Sequence, residues 1–114
     1  VFGRPIGQNQ AIQHPLAKAW IDLEAAELLT FRAAQLYDRG KPCGAEANAA
    51  KYFAGEAGFR ACETAVMTHG GMGYAEEFVV SRLFVDARVL SIFEGADETL
   101  CLKVIARRLC ENAS

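Results

Sequence analysis

The chain has 114 residues, of which 52% are hydrophobic and 23% charged, and its formal net charge is −2. This length holds one core and not two, and the charged share argues against disorder. Near-neutral charge leaves no electrostatic footprint for nucleic acid or an anionic membrane, and no apolar run approaches the roughly 20 residues that a membrane-spanning helix needs.

The N-terminus, Val1-Phe2-Gly3-Arg4, has no Met and no signal-peptide pattern, and reads as part of something longer. Phe2-Gly3-Arg4-Pro5-Ile6-Gly7-Gln8-Asn9-Gln10 follows, bearing Gly, Pro and amide side chains; taken alone, such a stretch is more often an ordinary loop. Helical spacing then dominates. A first helix is expected from about Pro15 to Tyr37, with Leu16, Trp20, Leu23, Phe31 and Ala34 near one side. Asp38-Arg39-Gly40-Lys41-Pro42 should end it, Gly40 taking a left-handed cap.

A second helix is expected from about Ala45 to His69. Ala47, Ala50, Ala54, Gly58, Ala61 and Ala65 form a stripe of small residues that would let a neighbouring helix approach. Gly70-Gly71-Met72-Gly73 breaks it. A third helix is expected over about Glu76–Ser91, burying Val79, Leu83, Ala87 and Leu90, and a fourth over about Asp97–Glu111, burying Leu100, Val104, Ile105 and Leu109. In the fourth, acidic Asp97 and Glu98 stand in the first turn and Arg107 and Arg108 near the last, a polarity that suits the helix dipole. The expected fold is all-α, a four-helix up-and-down bundle with short connections.

Cys43, Cys62, Cys101 and Cys110 form no CxxC pair and have no histidine at metal-ligand spacing, so they read as reduced thiols, small buried hydrophobes. Three segments could carry chemistry. The Phe2–Gln10 stretch is one. Gly70-Gly71-Met72-Gly73-Tyr74 is another, offering backbone N–H groups with no Cβ in the way of a phosphate or ring; it follows no strand, so it is not a dinucleotide fingerprint, and a plain helix stop is the simpler reading. The third is Ser91-Ile92-Phe93-Glu94-Gly95-Ala96, where a carboxylate stands among apolar residues at a helix joint. Exclusion of water there would raise its pKa as a general base requires, while a solvated loop Glu or a helix cap is the plainer alternative. His69, beside the glycines, reads as a hydrogen-bonded residue at a helix end.

Taken in order, these segments resemble the acyl-CoA dehydrogenase family. Phe2-Gly3-Arg4-Pro5-Ile6 through Gln10 and Leu16-Ala17 is similar to the entry into that family's C-terminal helical domain. Thr68-His69-Gly70-Gly71-Met72-Gly73-Tyr74 is similar to its glycine turn, and Asp86-Ala87-Arg88 with Ile92-Phe93-Glu94-Gly95 to its segment bearing the base. The match covers nearly all of residues 1–114, read as that domain incomplete at its N-terminus.

The resemblance implies an FAD enzyme that oxidises acyl-CoA to trans-2-enoyl-CoA. Glu94 would take the α-proton as hydride leaves the β-carbon for the flavin, and its backbone N–H would help to polarise the thioester carbonyl. Phe2 and Gln10 match FAD-contacting positions, and Gly70 and Gly71 a turn that meets the FAD of a neighbouring subunit. The resemblance further implies a homodimer or homotetramer, electron-transfer flavoprotein as acceptor, and a bacterial cytoplasmic or mitochondrial matrix setting. Met67, Ala96 and Val85 depart from the family's usual Gln, Thr or Ser, and Arg. The family's other domains are absent from these residues, so the chain alone is expected neither to hold FAD tightly nor to turn over. The alternatives are a non-catalytic assembly or dimerisation module of the same fold and an acyl-CoA oxidase-type flavoenzyme.

Overall fold

The computed structural model describes residues 3–93 and 96–113. Among them there is no strand. A short 3-10 turn, Ile6–Gln8, leads into α1 (Gln10–Asp38), then α2 (Gly44–His69), a helical turn α3 (Gly71–Tyr74) and α4 (Val79–Arg88). α4 runs on as a 3-10 turn, Val89–Ser91, and a π-helical segment, Asp97–Leu102, winds directly into α5 (Lys103–Ala113).

α1 begins five residues before the expected Pro15. Asn9, in extended conformation, cuts in ahead of it, and the Ile12 and Gln13 N–H groups both donate to the Asn9 carbonyl at 3.0 Å. Pro15 lies inside the helix, where it removes one backbone donor. The segment before α1 is pinned by Arg4 donating to Asn9 Oδ1 and Gln13 Nε2 to the Gly7 carbonyl. At the other end the expected cap forms. Gly40 takes φ +67°, its N–H bonds to the Tyr37 carbonyl at 3.0 Å, and Lys41 N–H reaches the Leu36 carbonyl at 2.9 Å.

α1 and α2 are antiparallel: Arg32 and Leu36 of α1 neighbour Gly44–Glu46 of α2 at one end, and Ala11, Ile12 and Pro15 neighbour Glu63–Thr68 at the other. α2 is the axis of the molecule, since α1 packs along it and α3, α4, the π-segment and α5 also rest on it. Its small residues are buried on more than one side, at Ala50, Gly55 and Ala57. From the expected stripe, Ala50 is buried, Ala54, Gly58, Ala61 and Ala65 are half-buried, and Ala47 is exposed.

The other inward faces also differ from expectation. α1 buries Ala26 and Ala33, with Ile12, Ala19, Asp22, Leu29 and Leu36 half-buried on the same heptad seam, whereas Leu16, Trp20, Leu23, Phe31 and Ala34 are exposed. In α4 the inward row is Val80, Phe84 and Ala87; Val79, Leu83 and Leu90 are exposed and only Ala87 was placed correctly. In the last helix Cys101 is the most buried side chain at 1% exposure and Ile105 is half-buried, but Val104 and Leu109 are exposed; the Leu100 side chain lies outside the description. The core is therefore made of small residues: Ala26, Ala33, Ala50, Ala57, Ala87 and Cys101.

Candidate functional site

Two of the five site residues expected from the sequence, Phe2 and Glu94, together with Gly95, lie outside the described residues. The remaining three are brought to one end of the molecule. Gln10 is the first residue of α1, and Gly70 and Gly71 join α2 to α3. The antiparallel hairpin leaves a shallow cavity of about 410 Å³ at the opposite end and, where these termini close on each other, one of about 380 Å³. The latter is lined by Ala11, Ile12, Pro15, Glu63, Thr64, Met67 and Thr68.

Each glycine of the turn has its own physical role. Gly70 adopts φ 63° and ψ −140°, a conformation that costs any other residue strain, and ends α2 through its N–H to the Met67 carbonyl at 3.1 Å. Gly71 is exposed, and a Cβ on either residue would meet nothing within 4 Å, so backbone there is open to an incoming group. Gly73 is buried for the opposite reason: a Cβ would collide with the Val66 carbonyl oxygen and lie 3.0 Å from Val66 C and Cα. Gly73 thus lets α3 fold back on α2 and fixes the direction of the turn.

His69 behaves as the plainer reading expects. Its Nδ1 lies 2.8 Å from the Ala65 carbonyl, which requires the proton on Nδ1, and its ring sits 6.3 Å from that of Phe78. Met67 is 75% exposed at the rim of the same end, where it offers an apolar thioether and no strong hydrogen bond.

The segment before Glu94 is elsewhere. Val89–Ser91 lies on the middle of α2, where a Cβ on Gly55 would stand 3.7 Å from the Leu90 carbonyl oxygen. From Gly55 to Gly70 is about 22 Å along the helix axis at 1.5 Å per residue. Within one copy of the chain the glycine turn and the Val89–Ser91 turn are thus held apart along α2. Ile92 and Phe93 N–H both donate to the Val89 carbonyl, at 2.9 and 3.1 Å, and fix the backbone up to the residue before Glu94.

A larger cleft of about 720 Å³, lined by Val66, Gly73, Tyr74, Glu76, Ser81, Arg82, Phe84, Val85 and Asp86, opens between α2, α3 and α4. Sequence reasoning missed it because it depends on the angle that Gly73 sets. It also missed the pair between Glu46 and Arg108, joined at 2.7 Å across 62 residues. The Arg108 guanidinium, first by its hydrogen bond, holds the Glu46 carboxyl below its ordinary pKa, with Arg32 adding a weaker attraction. Of the thiols, Cys101 is buried, Cys43 and Cys62 are half-buried with burial pushing the Cys62 pKa up, and Cys110 is exposed, contrary to expectation. Among the described residues no cluster of His, Cys, Asp and Glu could hold a metal ion.

Residues 1–110 match the sequence profile described as acyl-CoA dehydrogenase, C-terminal domain. An acyl-CoA dehydrogenase of Bacillus subtilis (strain 168) is 46% identical over 97 residues, covering 85% of this chain and 26% of the relative. The mitochondrial short-chain specific acyl-CoA dehydrogenase of Bos taurus is 44% identical over 108 residues, covering 95% of this chain and 26% of its own length. The structure of butyryl-CoA dehydrogenase from Megasphaera elsdenii superposes with a TM-score of 0.93 at 36% identity, over 96% of this chain and 28% of that one. The chain thus spans about a quarter of the length of these curated relatives.

Proposed function

Because the chain belongs to the acyl-CoA dehydrogenase family, matching its C-terminal domain over residues 1–110, we propose that it is the part of a flavoenzyme that carries the catalytic base, Glu94. The observation that carries this reading is a glutamate in Ile92-Phe93-Glu94-Gly95, in a chain that matches the family over residues 1–110. FAD, when bound, supplies the hydride acceptor for the oxidation of acyl-CoA to trans-2-enoyl-CoA.

The residues present fit such a group. Gly70 and Gly71 leave open space where a Cβ would stand, and the exposed Gln10 caps the same end of the hairpin. Gln10, Gly70, Gly71 and Phe2 would hold it. Met67 gives van der Waals contact where an amide would give a hydrogen bond. The separation of about 22 Å along α2 between the glycine turn and the Gly55 contact favours an arrangement in which the turn serves the flavin of another copy, hence a homodimer or homotetramer.

In the reaction the Glu94 carboxylate accepts the α-proton of the thioester and its backbone N–H donates to the thioester carbonyl, stabilising the enolate-like charge. Gly95, with no Cβ, allows the thioester to lie close. Electron-transfer flavoprotein is the proposed acceptor, in a bacterial cytoplasm or a mitochondrial matrix. No described helix is long and apolar enough to cross a membrane.

The test is Glu94→Gln in the full-length flavoprotein. Flavin content should be unchanged, and exchange of the α-protons of butyryl-CoA or octanoyl-CoA with D2O should fall by roughly a thousandfold or more. Exchange at the wild-type rate would place the base elsewhere.

A further inference from the structure

The seat of the segment that enters Glu94 is built around one side chain. Arg88 ends α4, and its guanidinium carbon lies 4.0 Å over the centroid of the Phe59 ring on α2. The same guanidinium donates from Nη2 to Ser91 Oγ at 2.6 Å, and Ser91 Oγ donates back to the Arg88 carbonyl at 3.2 Å. Phe59 is itself steadied by Phe84 of α4, ring centroids 5.1 Å apart. Behind this pair Gly55 admits the backbone of the turn, with its Cβ position 3.7 and 3.8 Å from the Leu90 carbonyl oxygen and carbon. A methyl group fits there at ordinary contact, and a branched side chain does not.

These contacts act on one stretch of backbone. α4 ends at Arg88, and Val89–Ser91 must turn against α2 before Ile92 and Phe93 close on the Val89 carbonyl. Stacking holds the guanidinium to α2 while its edge holds Ser91, so one rigid planar group sets how the turn leaves the helix. A lysine ammonium has no plane with which to do both at once. Arg88 is exposed, so nothing in the core obliges an arginine here.

We infer that Arg88, clamped between Phe59 and Ser91, is a positioning residue for the segment that leads into Glu94, setting the course of the Val89–Phe93 backbone. The inference rests on the proposed role of Glu94 and deepens it. Arg88 does not touch the substrate; it acts through the backbone of Val89–Phe93. Catalysis is sensitive to such placement, since an ångström of misplacement can cost on the order of a hundredfold in rate.

The experiment uses the full-length flavoprotein with butyryl-CoA and octanoyl-CoA. Arg88→Gln is expected to lower kcat and α-proton exchange by roughly tenfold or more, with KM and flavin content within about twofold of wild type. Phe59→Leu, which removes the ring but keeps an apolar contact with α2, should do the same. Arg88→Lys, which keeps a cation over the ring but loses the fork to Ser91, should fall between. The inference is overturned if exchange in Arg88→Gln stays within about twofold of wild type, or if the losses in all three variants simply follow flavin content. Glu94→Gln, run alongside, separates the two ideas. If it still exchanges, the base assignment fails; if it is inactive while Arg88→Gln is normal, the base stands and the positioning role fails.

Discussion

At the residue scale the glycines divide by what their missing Cβ permits. Gly73 is required for want of space, because a Cβ there runs into the Val66 carbonyl, backbone that cannot swing aside. Gly73→Ala should therefore lower the melting temperature markedly and disturb the α2–α3 joint, with a cost of about 2 kcal/mol or more. Gly58 is the reverse case. It sits mid-helix with nothing within 4 Å of its Cβ position, so Gly58→Ala should raise stability by up to about 1 kcal/mol, read from thermal melts. The stripe of small residues puts Gly58 at a close-packing position, yet it is Gly55 whose Cβ position lies 3.7 Å from the Leu90 carbonyl oxygen. A glycine in a helix tells that no side chain is present; the reason depends on a neighbour far along the chain.

At the element scale the helices were legible and their faces were not. The ends of α2 fell within one residue of the expected Ala45–His69, since Gly70 and Pro42 punctuate it without ambiguity. α4 carries adjacent apolar pairs, Val79-Val80 and Leu83-Phe84, so two faces one residue apart fit the helical period equally well. Packing on α2 chose Val80, Phe84 and Ala87. The tie between α2 and α5 was equally hidden. Arg108 reads from its position as a helix-dipole partner, and it instead reaches Glu46 in the first turn of α2.

That pair has a pH signature. The Glu46 pKa is lowered from its ordinary 4.5 in the folded state, chiefly by the Arg108 hydrogen bond. Its contribution to stability is thus complete above the ordinary value and is lost as pH falls below it through the folded pKa. Denaturation midpoints measured from pH 7 down to pH 3 should show this loss, and Glu46→Gln should remove that part of the slope. Arg108 is 55% exposed, so the pair is worth at most about 1 kcal/mol and should weaken with salt.

At the scale of the whole molecule, extent and core tell one story. The radius of gyration is 17.6 Å and the longest dimension 61 Å, against a radius of about 13 Å for a compact domain of this length. α1 alone is about 43 Å long and lays one face on α2, which leaves Trp20, Leu28, Phe31 and Tyr37 exposed. Purified alone, the 114-residue chain should show no flavin absorbance and no turnover of butyryl-CoA. It should also bind a hydrophobic dye and associate with rising concentration in sedimentation velocity. A monomeric, flavin-bound, active chain would overturn the proposal that the activity needs more than these residues.

What the sequence by itself determined is the helical class, the breaks at Gly40 and Gly70, and the family, because caps, periodicity and collinear motifs are local properties of the chain. Glu94 too was found there, as a carboxylate in a particular run of residues, and it remains a proposal from that run. Tertiary structure alone decided that α2 is the axis, that alanines and Cys101 form the core while Trp20, Leu28, Phe31 and Tyr37 face outward, and that Arg88 stacks on Phe59. Those outcomes depend on which helix lies against which, and side-chain periodicity within one helix carries no record of its neighbour.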